Sequence, residues 1–364
     1  MSSLKANDPG RLAFLDWTRG LAAVAMLQGH VFHSFTRPEE RSGGLYMVSQ
    51  LLGGMPPAMF LFLLGVTLSF LMHSQARKGE PAGRRVLAAL RRAGYLLGAA
   101  FLFRLQLWSF GWPGTSASDL LRVDILNCMG LTVALMSVMA VFTTEERVRL
   151  CAVLGILIAA ASPLVSQSDW SGVPSLVKAY LAPNHSAFAF FPWAAFVPFG
   201  ISAGSVIRLL DSERMERAAQ WSALLGLTLV AGGLYFSNFP YSLYSHSEFW
   251  LDSPWLVAIK LGVIFLTLSF AYLWTVHSQS NWSWLCQIGT TSLLVYWVHI
   301  ELVYGRWFWF WKENIPAIYA VVASAVVIVL MLILSTARTQ WKNWRLLSFS
   351  LGWYFFGSRR VPEV

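Results

Sequence analysis

The sequence predicts an all-α, polytopic membrane protein of about ten transmembrane helices with both termini cytoplasmic. Three observations predict it. Hydrophobic residues make up 56% and charged residues only 12% of 364, with 18 Trp and 25 Phe, where an ordinary soluble domain carries roughly 25% charged residues. Apolar runs centred near residues 24, 60, 99, 132, 158, 199, 228, 265, 296 and 326 each approach the roughly 20 residues that cross a hydrocarbon core. With the N-terminus cytoplasmic, eighteen of the 27 Lys and Arg fall on the inner side and six on the outer, leaving Arg19, Arg104 and Lys260 within spans. That bias is the positive-inside pattern. The net charge of +9 follows from this topology and from contact with anionic lipid, and no nucleic-acid motif accompanies it. Loops run to roughly 15–20 residues at most, too short to bury a core of their own. Residues 1–340 therefore read as one transmembrane domain, and Trp341 to Val364, mixing Trp, Phe and Tyr with Lys and Arg, as a cytoplasmic interfacial tail.

The first span carries Asp16, Arg19, His30 and His33 among Leu, Ala, Val, Met and Phe. At about 100° per residue, the last three lie roughly 60°, 40° and 100° around the helix from Asp16, all in the same sense. A charge inside a bilayer costs roughly 2.5–3.5 kcal/mol even on lenient scales, so this stripe must face the bundle interior or an aqueous cavity. No early cleavage signature follows it, and the segment reads as a retained span. Gly53-Gly54-Met55-Pro56-Pro57 interrupts the second span, and Pro192, Pro198, Gly200 and Gly204 punctuate the sixth. Proline leaves carbonyls unpaired, a state tolerated at membrane depth where neighbours or a wet cavity satisfy them. Both spans are expected to line the working cavity, with ordinary kinks as the alternative.

The third span brings Arg104 and Gln106 to the outer layer, and the fourth begins there with Asp124, Asn127 and Cys128. The eighth carries Lys260, and the ninth places Ser292, Tyr296 and His299 on one face with Glu301 just beyond. His30 and His33 share this outer tier, while Asp16 and Arg19 lie about 16–21 Å deeper at 1.5 Å per residue. Arg104 with Asp124, and Lys260 with Glu301, are equally readable as charge pairs that hold the bundle together. Cys128, Cys151 and Cys286 have neither metal-ligand spacing nor an evident disulfide partner, and no metal is expected. Cys128 reads as a small buried side chain rather than a nucleophile. His73, His185, His246 and His277 fall in loops or at span ends and read as solvated.

Arg11-Leu-Ala-Phe-Leu-Asp16-Trp-Thr-Arg19-Gly20-Leu-Ala, followed by His30, resembles the opening signature of the heparan-α-glucosaminide N-acetyltransferase-like proteins and of the broader transmembrane acyltransferases. The Arg19 to His30 spacing is similar to the arginine–histidine pair of the bacterial O-acyltransferases in that broader group. Further matches are Pro57-Ala-Met-Phe-Leu-Phe-Leu-Leu-Gly65, Asp124-Ile-Leu-Asn-Cys-Met-Gly130, Phe191-Pro-Trp193 with Gly200 and Gly204, and Ser292-Leu-Leu-Val-Tyr296-Trp-Val-His299. The resemblance implies transfer of an acyl group, acetyl above all, from cytoplasmic acyl-CoA to a saccharide hydroxyl or amine on the outer side of a membrane. The expected location is a bacterial inner (plasma) membrane. The expected partners are the bilayer, acyl-CoA and a glycan acceptor, and self-association is compatible with them. The lysosomal enzyme that names the family has asparagine where this chain has His30, and places its proposed reactive histidine in the following loop, where Arg37 to Arg41 contain none. Direct transfer fits this chain better than an acyl-histidine intermediate.

Residue chemistry leads to the same assignment of roles. Removing a proton from a sugar hydroxyl at neutral pH suits histidine, and His30 is the expected base. Tyr296, His299 or Asn127 would donate to the oxyanion, with Asp124 counted in the same catalytic set. Arg19 suits the phosphates of CoA, with Asp16 orienting it or moderating its charge. His33, Arg104 and Glu301 are left to bind the acceptor. A proton-coupled secondary transporter for a small polar or anionic solute is the alternative. Broken spans and the midplane charges Asp16, Asp124, Lys260 and Glu301 would suit it, but no inverted repeat is visible.

Overall fold

The computed structural model describes residues 12–185, 187–278 and 282–356, with side chains as far as Trp341 except that of Ser212. Arg11, Lys5 and the basic residues beyond Trp341 lie outside the described side chains. The helices are α1 (Ala13–Phe35), α2 (Gly44–Gly53), α3 (Pro56–Arg77), α4 (Ala82–Gly111), α5 (Ile125–Met136), α6 (Thr144–Gln167) and α7 (Ser175–Leu181), then α8 (Phe190–Trp193), α9 (Phe196–Leu209), α10 (Ser212–Ser237), α11 (Pro254–His277), α12 (Trp284–Thr290), α13 (Ser292–Tyr304) and α14 (Ala317–Phe356). Among the described residues there is no strand, only an isolated bridge between Thr36 and Ile315. The expected boundary at residue 341 falls inside the continuous helix α14.

Among the described residues, eight helical stretches are long and apolar enough to cross a membrane: Gly44–Arg77, Ala82–Gly111, Ala117–Val141, Thr144–Gln167, Phe190–Leu209, Glu213–Ser237, Pro254–His277 and Ala317–Trp341. The two remaining expected spans fall short for physical reasons. The first, α1, has its hydropathy lowered by the polar stripe itself. The ninth is split at Thr290–Ser292 into α12 and the 13-residue α13.

Helix α1 lies at the centre, packed by α2, α3, α11, α12, α13 and α14. Ala23, Leu27, Val31 and Phe35 recur every four residues and so share one face. They interlock with Val295 and Val303 of α13 and with Ala323, Val327 and Met331 of α14. Close crossings need absent side chains. A Cβ on Gly20 would overlap the Leu285 carbonyl, and one on Gly289 the Asp16 carbonyl, so α1 and α12 touch backbone to backbone. Gly65 and Gly200 bring α3 and α9 together in the same way. Two of the helical breaks are tied to neighbouring helices by polar side chains. Lys260 Nζ donates to the Gly54 carbonyl at 3.0 Å between α2 and α3. Gln287 of α12 donates to Ser335 and Thr339 of α14, and Thr291 reaches Ser335 Oγ at 2.6 Å.

Candidate active site

The second half of α1 and the whole of α13 converge on a cavity of about 660 Å³, closed by α4 and by the start of α5. His30, His33, Arg104, Asp124, Tyr296 and Glu301 all line it. His30 Nδ1 lies 2.9 Å from His299 Nε2 with the rings stacked at 11°. His299 itself is fully buried behind His30, and its Nδ1 lies 2.8 Å from the Val295 carbonyl.

These contacts decide the protonation pattern of the neutral pair. A carbonyl only accepts, so His299 Nδ1 carries the hydrogen and its Nε2 the lone pair. His30 Nδ1 must then donate to that lone pair, which leaves His30 Nε2 unprotonated. The arrangement has the logic of a base oriented by a second group. Tyr304, one turn beyond Ile300 on the same face of α13, sets its ring edge against His30 at 5.4 Å between centroids and its hydroxyl 3.1 Å from His33 Nδ1.

Arg104 Nε stands 3.1 Å from Asp124 Oδ2, the charge pair that the sequence allowed. The other carboxylate oxygen accepts from the backbone N–H groups of Leu126 and Asn127, capping α5. Both oxygens of Asp124 are thus engaged, one by Arg104 and the other by the first turn of α5. Asn127 is absent from the cavity wall. Its Oδ1 accepts from Asp124 N–H at 3.1 Å and its Nδ2 donates to the Tyr180 hydroxyl at 3.0 Å, so α5 uses it as a capping group.

Glu301 is 9% exposed, and its Oε2 has no hydrogen-bond partner. The expected pairing of Glu301 with Lys260 does not form. Lys260 instead serves the broken helix at Gly54 and lies 4.5 Å over the Trp193 ring. Lys312 lines the same cavity, and its ammonium is pushed below its ordinary pKa by burial while Glu301 acts in the opposite direction. Lys312 Nζ donates to the Tyr304 carbonyl at 2.6 Å.

The broken second span reaches the cavity through Pro57, whereas the sixth contributes only Phe188, just ahead of α8. Gly200 and Gly204 of α9 serve the crossing with α3 instead. Tyr304, Arg122, Arg306, Lys312 and Phe103 were not singled out in the sequence. Tyr304 was within reach, because Tyr296, Ile300 and Tyr304 repeat every four residues. Cys128 is buried with its thiol directed at the Ala189 carbonyl. A larger cavity of about 770 Å³ between α6, α9, α10 and α11 is lined mostly by apolar side chains, with Ser202, Ser222, Ser269, Tyr244 and Tyr272 among them, a lining suited to hydrocarbon.

Asp16 and Arg19 lie apart from the histidines. Arg19 Nη1 is 2.7 Å from Asp16 Oδ1, with the two side chains 22% and 11% exposed. The eleven residues from Arg19 to His30 span about 16 Å of helix.

The family model for the heparan-alpha-glucosaminide N-acetyltransferase catalytic domain matches residues 11–233, more than half of the chain. The chain belongs to this family. No curated protein matches it. Within the heparan-alpha-glucosaminide N-acetyltransferase family, acyltransferase chemistry on a membrane protein comes with membership. The matched region holds Asp16, Arg19, His30, His33, Arg104 and Asp124, while Tyr296, His299 and Glu301 lie beyond it on α13.

Proposed function

We propose that this protein moves an acyl group, acetyl in the first instance, from cytoplasmic acyl-CoA to a saccharide hydroxyl or amine on the outer side of the membrane. The observation that carries the reading is His30, which faces the 660 Å³ cavity while its Nδ1 is committed to His299. His30 Nε2 takes the proton of the acceptor as the acceptor oxygen or nitrogen attacks the thioester carbonyl. The tetrahedral oxyanion receives donors from the cavity wall, with Tyr296 and Arg104 suited to the role. As the C–S bond breaks, His30 returns the proton to the departing thiolate, and the base is restored. Glu301 and His33 bind the acceptor. Arg19, steadied by Asp16, serves the donor phosphates about one pantetheine arm from His30.

The topology in this reading has ten spans, with both termini and the 341–364 tail cytoplasmic, in a bacterial inner membrane. Support for α1 as a span comes from its central packing, which turns its polar stripe to protein rather than lipid. Support for α12 and α13 as one broken span comes from Ser335 of α14, whose hydroxyl donates to the Gln287 carbonyl at 2.8 Å and accepts from Thr291 beside the break.

His30→Ala tests the reading. The variant should fold and bind acyl-CoA while transfer falls by roughly 10²–10⁴-fold. Transfer at the original rate would remove His30 from the mechanism.

A further inference from the structure

Two arginines, Arg19 and Arg92, stand near each other at the Asp16 end of α1. Arg19 is taken by Asp16 at 2.7 Å. Arg92, reaching in from α4, lies within electrostatic range of the Arg19 guanidinium. Its Nη2 donates to Thr67 Oγ1 at 3.2 Å, and Thr67 passes its own hydrogen to the Leu64 carbonyl at 2.9 Å. The Arg92 Nε is buried and has no hydrogen-bond partner. Among the described residues no carboxylate lies within ion-pair distance of Arg92. A half-buried guanidinium that faces a like charge and keeps an unused N–H is short of one anion. A phosphoryl group meets the need, since its oxygens accept from guanidinium N–H groups in parallel and its charge offsets the second arginine.

We infer that Arg92, with Arg19 beside it, binds a phosphoryl group, and, resting on the acyl-CoA reading above, that the donor's pyrophosphate supplies it. The depth favours the donor over a lipid headgroup. Arg19 lies about 16 Å along α1 from His30, a separation comparable to the pantetheine chain that joins the thioester to the pyrophosphate. Arg92 also bonds inward to Thr67 on α3, within the bundle rather than on a lipid-facing surface.

The test is equilibrium binding in detergent of coenzyme A and of pantetheine, which lacks every phosphate, to the full chain. Arg92→Gln should weaken coenzyme A at least tenfold and leave pantetheine unchanged. Arg92→Lys should recover part of the loss, and Arg149→Gln, at an exposed position, should bind coenzyme A as the unsubstituted protein does. Inorganic pyrophosphate should displace coenzyme A from the unsubstituted protein, which reads the same contact without any variant. Coenzyme A bound equally by wild type and Arg92→Gln, with no displacement by pyrophosphate, would overturn the inference and leave the acyl-CoA reading standing. Absence of coenzyme A binding, with retention of phosphatidylglycerol in nanodiscs that Arg92→Gln abolishes, would overturn the donor assignment in favour of a headgroup. Wild-type protein that binds neither would defeat the acyl-CoA reading itself.

Discussion

His299 touches no cavity surface, yet the account gives it control of the reaction through one proton. Its Nδ1–H is spent on the Val295 carbonyl, so its Nε2 can only accept from His30, and the base tautomer follows. His299→Leu should therefore lower kcat by roughly 10²-fold or more with little change in KM for the donor, because the wrong tautomer presents N–H to the acceptor. His299→Gln should recover much of that loss, since a carboxamide oxygen can accept from His30 Nδ1. Steady-state kinetics on the pair checks this; equal damage from both would reduce His299 to packing. The polar residues of this site were legible in the sequence because Asp16, Arg19, His30, His33, Tyr296, His299 and Glu301 interrupt apolar runs. Their pairings were legible only in part. Position along a helix fixes depth but not which neighbour a side chain faces, and this separated the pairing of Arg104 with Asp124 from that expected of Lys260 with Glu301.

At the scale of elements, the breaks were readable and their purposes were not. Gly53-Gly54-Met55-Pro56-Pro57 marks the end of α2 and the start of α3, but a carbonyl freed by such a break carries no letter in the sequence. Lys260 therefore gave no sign of its partner. Lys260→Met should leave the Gly54 carbonyl unsatisfied and cost about 1–3 kcal/mol, measurable as a lower Tm in detergent. An unchanged Tm would show that another group takes over that carbonyl. The α3–α9 crossing makes a sharper demand. Gly200→Leu would drive a side chain into the Phe62 carbonyl, and overpacking of that kind costs about 1–3 kcal/mol or more. Gly232, with open space around its Cβ position, provides the comparison, and its substitution by Leu should leave folding yield unchanged. Equal yields from both variants would mean that α3 and α9 can move apart freely.

Across the whole molecule, the charge distribution and the position of the site imply a direction. The basic loops around Lys78 and Arg84 lie toward the Asp16 end, and the histidine cavity lies toward the other. Single cysteines at Ser168 or Ser247, in a background without Cys128, Cys151 and Cys286, should react with an impermeant reagent from outside. A cysteine at Gly79 should react only after permeabilisation. The most direct test of the central claim uses proteoliposomes with the basic loops facing outward and a saccharide acceptor sealed inside. Acyl-CoA labelled in its acyl group is then added outside. The account predicts label on the enclosed saccharide, and its loss in His30→Ala. Label that reaches saccharide only when donor and acceptor share one side, or that reaches the enclosed saccharide equally well in His30→Ala, would contradict it.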